Sequence, residues 1–191
     1  MTVIGIISPG LIGSQVARSL MSDSNDVIWA SEGRSDKTKE FASAVEVEGA
    51  KPFKDVGDMA TLVEKSDVIV SVCSHEAVWQ IAETVANFQF KGIFVDANWV
   101  VPLTESAYDE LLDKNFPDWV QGGVHADDDG NLFFLLKGKR AQEVFDLFNT
   151  WPTYAPKILD SPKGVRAFKR EIDERRNREG WVHENRNSSS R

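Results

Sequence analysis

The first residues of this chain that could do chemistry stand just after its amino terminus. The run Ile6–Ser14 reads IISPGLIGS. A loop that cradles the phosphates of a dinucleotide, between a first strand and a first helix, is spelled Gly-x-Gly-x-x-Gly. Its first glycine permits the tight turn, its second lets a phosphate approach the backbone, and its third lets helix and strand pack closely. Gly10 and Gly13 occupy the second and third places, and Ser8 replaces the first. Serine is a favoured N-cap and proline a favoured first helical residue, so Ser8-Pro9 is predicted to start the helix. The free N–H groups of that helix end then face an anion. Ser8, Pro9, Gly10, Leu11, Ile12 and Gly13 are therefore the candidate phosphate-binding residues.

A second informative stretch, WASEGRSDKTK at 29–39, follows the second predicted strand. A dinucleotide-binding sheet inspects the adenosine ribose there. Glu32 has the spacing of a carboxylate that takes ribose hydroxyls, as for NAD. Arg34, Ser35 and Lys37 suit a 2′-phosphate, since arginine offers a planar fork and serine a hydroxyl donor. Ser31 joins Arg34 and Ser35 as a candidate contact. Glu32 and Arg34 point to opposite cofactors, and the residue types alone leave the choice open.

These groups need elements to position them. Val3–Ile7 reads as a strand, and Ile12, Val16 and Leu20 then fall one helical turn apart. Val27–Ala30 is a second strand, followed by a polar helix from Ser35 to Val45. Asp58 is an N-cap signal for MATLVEK. Asp67–Cys73 is apolar enough for a buried strand, and Val78, Ile81, Ala82 and Val85 then share a helical face. Segment 92–98 gives another strand, Pro102 opens the next helix, and 118–124 and 131–138 give two more strands. Ala141, Val144, Phe145 and Phe148 mark a further helix. Such alternation implies an α/β fold: a Rossmann-type, mostly parallel sheet with helices on both faces.

At 191 residues, with 41% hydrophobic and 27% charged side chains, the composition is globular. A net charge of −8 argues against nucleic acid and anionic membrane surfaces as partners. One cysteine, Cys73, forms no intrachain disulfide and fits a reducing, cytoplasmic location. The longest apolar run, LFFLL at 132–136, is too short to span a bilayer. No basic region followed by an apolar one precedes the first strand, so no leader is expected.

Taken together, ISPGLIGSQVARSL, VIWASEGRS, DVIVSVCS, GIFVDANWVVP and QGGV resemble, in order and spacing, the 6-phosphogluconate dehydrogenase-like and β-hydroxyacid dehydrogenase-like NADP-binding domain. The resemblance covers roughly residues 1–170 and is to the branch whose loop reads Ser-Pro-Gly. It implies a Rossmann-type sheet and a nicotinamide cofactor. Arg34-Ser35 matches the family's Asn-Arg-Ser/Thr turn, which implies NADP(H). Cys73 and Ser74 then lie near the nicotinamide-side ribose, although Cys73 also reads as a small buried hydrophobe. Asn98 matches a polar residue near the nicotinamide ring. Gly122 and Gly123 match a glycine pair that leaves room for a small acid substrate. His125 and the three aspartates at 127–129 depart from the pattern. DDDGN is read as a solvated turn rather than a metal loop, and His125 as a substrate-side candidate.

The family's acid or base is a lysine spaced a few residues after a glycine, and Gly164 and Lys169 sit close to that spacing. Asp173 stands where the partner asparagine is usual. Lys169 is thus the catalytic candidate or one surface lysine among many charges. From Lys169 to Gly180 Ile172 is the only aliphatic residue, so 161–191 is expected to be a polar helix and disordered tail after a domain at 1–160. By the resemblance, the family's helical domain would follow here, and it is expected to be missing. The expected function is the NADP(H)-binding domain of an oxidoreductase, passing hydride to or from a small hydroxy acid, semialdehyde or imine. The alternative is a truncated, non-catalytic nicotinamide-dinucleotide-binding protein. Weak or absent turnover is expected of the isolated chain.

Overall fold

Successive strand residues point to opposite faces, and here both directions are apolar. Strand β1 (Thr2–Ile7) sends Ile4 and Ile6 into one buried cluster and Ile7 into a second. Strand β4 (Val68–Ser71) divides Val68 and Val70 from Ile69, and β5 (Ile93–Asp96) divides Ile93 and Val95 from Phe94 in the same way. A sheet buried on both faces needs helices on both. Helices α1 (Leu11–Leu20) and α6 (Ala141–Phe145) cover the first with Val16, Ala17, Leu20 and Val144. Helices α3 (Met59–Lys65), α4 (Val78–Asn87) and α5 (Glu105–Asn115) cover the second.

The structure, a computed structural model, describes residues 1–126, 132–148, 154–161 and 163–178. The remaining strands are β2 (Asn25–Trp29), β3 (Lys54–Asp55), β6 (Val120–Ala126), β7 (Leu132–Lys137) and β8 (Ala155–Ile158). They form one sheet in the order β3-β2-β1-β4-β5-β6-β7-β8. Only β6 and β7 pair antiparallel; the other neighbours are parallel. The chain leaves β1 toward β2 on one side and returns to β4 on the other. That switch parts the connections at the carboxyl ends of β1 and β4 and opens a crevice there. No helix among the described residues is long and apolar enough to cross a membrane.

The Rossmann-type sheet with helices on both faces is as the alternation implied. Val78, Ile81, Ala82 and Val85 are the buried face of α4, and the Asp58 carboxylate caps α3 by accepting from the Thr61 N–H at 2.8 Å. Two strands escape the pattern. β3 has only two residues, both exposed, and β8 carries Pro156 in four, so neither shows a hydrophobic period. The helix expected through Phe148 ends at Phe145.

The charged C-terminal segment forms a helix, as expected, and that helix is docked on the sheet. Helix α7 (Val165–Arg178) docks against β6 and β7, with Val165 and Arg166 buried. A helix this polar has little apolar surface to bury; ion pairs described below hold it instead. The expected aspartate turn at 127–129 and the tail beyond 178 lie outside the described residues.

Candidate functional site

The loop before α1 does not begin its helix as Ser8-Pro9 suggested. An N-cap needs an extended backbone, and Ser8 sits in the left-handed region at φ 61°. The N-cap position belongs to Gly10, extended at φ −68° and ψ −162°, with no side-chain cap. The Gly10 N–H donates to the Ser8 carbonyl at 2.7 Å, which tightens the turn before α1. Pro9 is buried, and its carbonyl accepts from the Ser14 hydroxyl at 2.6 Å. The first N–H groups of α1 therefore meet no capping side chain and point out of the helix end.

The two glycines have different reasons to be glycine. A Cβ on Gly13 would stand 2.7 Å from the Ser8 carbonyl oxygen, so the turn itself requires its absence. A Cβ on Gly10 would meet nothing within 4 Å. Its backbone is extended, so neither strain nor packing asks for glycine there. The fold leaves that space open to the crevice.

The crevice has a volume of about 510 Å³. Ser8 and Gly10–Gly13 form one wall, Arg34 and Thr38 a second, and Val72, Cys73 and Ser74 a third. Arg34 leans across it, with Nη1 donating to the Ser8 hydroxyl at 3.0 Å. Its Nε is buried without a partner. Burial lowers the guanidinium pKa. Burial also pushes the Cys73 thiol up to about 11, so it is a neutral thiol at physiological pH. An anion beside Arg34 would supply the partner that Nε lacks. These features fit a dinucleotide: open helix-end amides, an unencumbered Gly10 and an under-bonded guanidinium.

Other candidates from the sequence lie off this crevice. Ser35 caps α2 (Asp36–Ser43), accepting from the Thr38 N–H at 3.3 Å. The Ser31 N–H donates to Asp55 at 3.1 Å, and Glu32 is exposed and not part of the crevice wall. Asn98 is buried behind the third wall. Its Oδ1 accepts from the Cys73 N–H at 2.7 Å, and its Nδ2 donates to Ser71 at 2.9 Å and Asp96 at 2.6 Å.

Behind Asn98 lies a cluster that the sequence reading missed. Asp96, fully buried at the end of β5, pairs with Arg166 of α7 and accepts from the Tyr108 hydroxyl at 3.0 Å. Arg166 also reaches Asp109 at 2.6 Å, and its guanidinium lies 5.3 Å from the Tyr108 ring centre. Arg170 pairs with Glu105 at 2.6 Å. Burial works against the Arg166 charge, but Asp96 and Asp109 outweigh it and hold its pKa above the ordinary arginine value. Burial likewise drives the Asp96 carboxyl up, against the pull of Arg166 and Asn98. One signal was available: an aspartate ending the buried run IFVD requires a cationic partner.

Gly122, Gly123 and Lys169 do meet, in a small cavity of about 80 Å³ bounded also by Asn98 and Asp173. The glycine pair was expected to leave room for a substrate. A Cβ on Gly123 would come within 2.8 Å of Val165 and 3.4 Å of Lys169, so that room is largely filled by α7. Burial lowers the Lys169 pKa, partly offset by Asp173. His125 packs edge-on to Phe168, ring centres 6.1 Å apart.

No protein-family model matches the chain. An uncharacterised 28.5 kDa protein of Methanothermus fervidus is 32% identical over 111 residues, which is 58% of this chain and 41% of that one. Among solved structures, the fold is similar to a conserved protein of unknown function, itself described as structurally similar to 3-hydroxyacid dehydrogenases. That likeness has a TM-score of 0.68 at 19% identity and covers 90% of this chain and 62% of the other. An imine reductase from Bacillus cereus superposes with a TM-score of 0.67 at 12% identity, covering 95% and 63%. So does one from Myxococcus stipitatus solved with NAD+, at 13% identity, covering 95% and 62%. The chain thus spans about 60% of the length of these structures and less than half of the curated relative.

Proposed function

We propose that the crevice binds NADP(H) and that the chain is the dinucleotide-binding part of an oxidoreductase resembling the 6-phosphogluconate and β-hydroxyacid dehydrogenases. One observation carries the reading. The uncapped start of α1 meets Arg34, with its partnerless Nε, at the switch point of a parallel sheet. The amides of Leu11, Ile12 and Gly13 would take the pyrophosphate. Arg34 would take the 2′-phosphate, with Ser31 and Ser35 at the edge of that site. Cys73 and Ser74 would line the ribose on the nicotinamide side, with Asn98 holding the Cys73 backbone in place.

When bound, the nicotinamide supplies or accepts a hydride. The chain's own contribution to turnover is Lys169, whose lowered pKa equips it to give or take a proton at a substrate oxygen or imine nitrogen. Gly122, Gly123 and His125 would border a small hydroxy acid, semialdehyde or imine. A second reading, cofactor binding without turnover, is favoured by the filling of the space beside Gly123 by α7.

Fluorescence titration with NADPH and NADH tests the cofactor assignment. Charge-assisted bonds to a 2′-phosphate are worth about 1.5–3 kcal/mol, or roughly 10- to 150-fold in affinity. Arg34→Ala is expected to weaken NADPH by that factor and to leave NADH nearly unchanged. A wild-type preference for NADH would reject the assignment.

A further inference from the structure

The dinucleotide crevice and the α7 cluster share no lining residue, yet a file of polar contacts joins them and forks at Asn98 to the Cys73 N–H and, through Ser71, to the Cys73 thiol. Arg166 on α7 pairs with Oδ2 of Asp96. The other oxygen, Oδ1, accepts from Asn98 Nδ2 at 2.6 Å. The Asn98 carbonyl oxygen accepts from the Cys73 N–H at 2.7 Å, and Cys73 is part of the crevice wall. Asp96 and Asn98 are 0% and 4% exposed, so water does not compete at the middle links. Both Asn98 amide protons are used, the second by Ser71, which fixes the orientation of the amide. A buried file with so little slack transmits position, because losing one partner leaves the next group unsatisfied.

We propose that Arg166 and Asp96 are positioning residues for the crevice. Docking of α7 sets the Cys73–Ser74 wall through Asn98, so α7 docking and crevice geometry are coupled. The charge at position 166 follows from this role. An apolar residue at 166 would offer no group to hold the Oδ2 end of the Asp96 carboxylate. The meaning of the coupling for ligand binding rests on the crevice being the dinucleotide site. The coupling itself can be read without any ligand, because Cys73 is the chain's single cysteine and ends the file.

The experiment is the rate of Cys73 alkylation by iodoacetamide on the full chain, below the unfolding transition. Arg166→Met is expected to speed it by about 10-fold. Arg166→Lys, which keeps the charge but not the fork, should fall between the two and serves if the methionine variant does not fold. Asn98→Ala should speed alkylation comparably, and adding Arg166→Lys to it should change little, since both cut one file. Val144→Ala, in the cluster on the opposite face, controls for general loosening and should leave the rate within about 2-fold of the wild type. Unchanged rates in the Arg166 variants, equal acceleration by Val144→Ala, or additive effects at Asn98 and Arg166 would each overturn the proposal. A parallel measurement with NADPH separates the two readings. If NADPH fails to protect Cys73 while the Arg166 effect persists, the dinucleotide assignment falls and the coupling stands.

Discussion

Two helix ends in this molecule carry similar chemistry and put it to opposite uses. At the start of α1 the cap position is a glycine without a side-chain cap, and the nearby Arg34 has a buried Nε without a partner. At the start of α7 the backbone is enclosed. The Val165 N–H donates to Gln121 at 2.6 Å, and Arg166 is ringed by Asp96, Asp109 and Glu105. Each arginine keeps one buried Nε without a partner, so the difference lies in the charges around them: Arg34 bonds a neutral hydroxyl, that of Ser8, and Arg166 faces three carboxylates. An arginine without a carboxylate partner suits the ligand site proposed above, and one among three carboxylates holds a helix. A charged residue is thus informative through what already satisfies it, and its type alone says little.

The largest effect should come from breaking the closed region. Removing one partner of a buried ion pair leaves an uncompensated charge, at a cost of about 3–5 kcal/mol. Arg166→Met is expected to lose stability on that scale in urea unfolding. Arg34→Ala, in the open region, should stay within about 0.5 kcal/mol of wild type. Equal losses at the two arginines would erase the distinction.

A second test uses pH. The Cys73 thiol is raised from 9.0 to about 11 by burial, so the native state keeps a proton that the unfolded chain releases. Its stabilising contribution is complete below the unfolded value and is lost as pH rises from 9 toward 11. Alkylation at pH 8 should be roughly 100-fold slower than that of a free thiol of ordinary pKa, because so little thiolate is present. A rate equal to the free thiol's would show that the crevice wall is not closed over Cys73.

A smaller effect separates two helix caps. Asp58 caps α3 with its carboxylate, and Asp58→Ala should cost about 1 kcal/mol, read by urea unfolding. No comparable loss is expected at Gly10, which contributes no side chain to the end of α1.

How much of this was legible before the structure differs from residue to residue. The sheet and its helices follow from periodicity, because a strand buried on both faces or a helix with one apolar stripe has a pattern that sequence can show. Gly10, Gly13 and Arg34 were singled out because backbone approach and anion recognition each demand a particular residue type, and the fold brings them to one crevice. The role of Ser8 was misread, since its type suggests a cap while its left-handed backbone rules one out. Arg166 was missed for another reason. It meets Asp96 across 70 residues of sequence, and no local spacing announces a pairing made by topology. The docking of α7 was missed with it, because a helix with so few apolar residues shows no stripe that would announce a packed face.

The central claim is that the open space at Gly10 exists for a ligand and not for the fold. Gly10→Val tests it most directly, by NADPH titration alongside urea unfolding of the same protein. The added Cβ would meet no protein atom within 4 Å, so stability should change by less than about 0.5 kcal/mol. NADPH affinity should fall by at least about 10-fold, since the branched side chain would stand where a phosphate approaches the backbone. A folded variant that binds NADPH as tightly as the wild type would contradict the account.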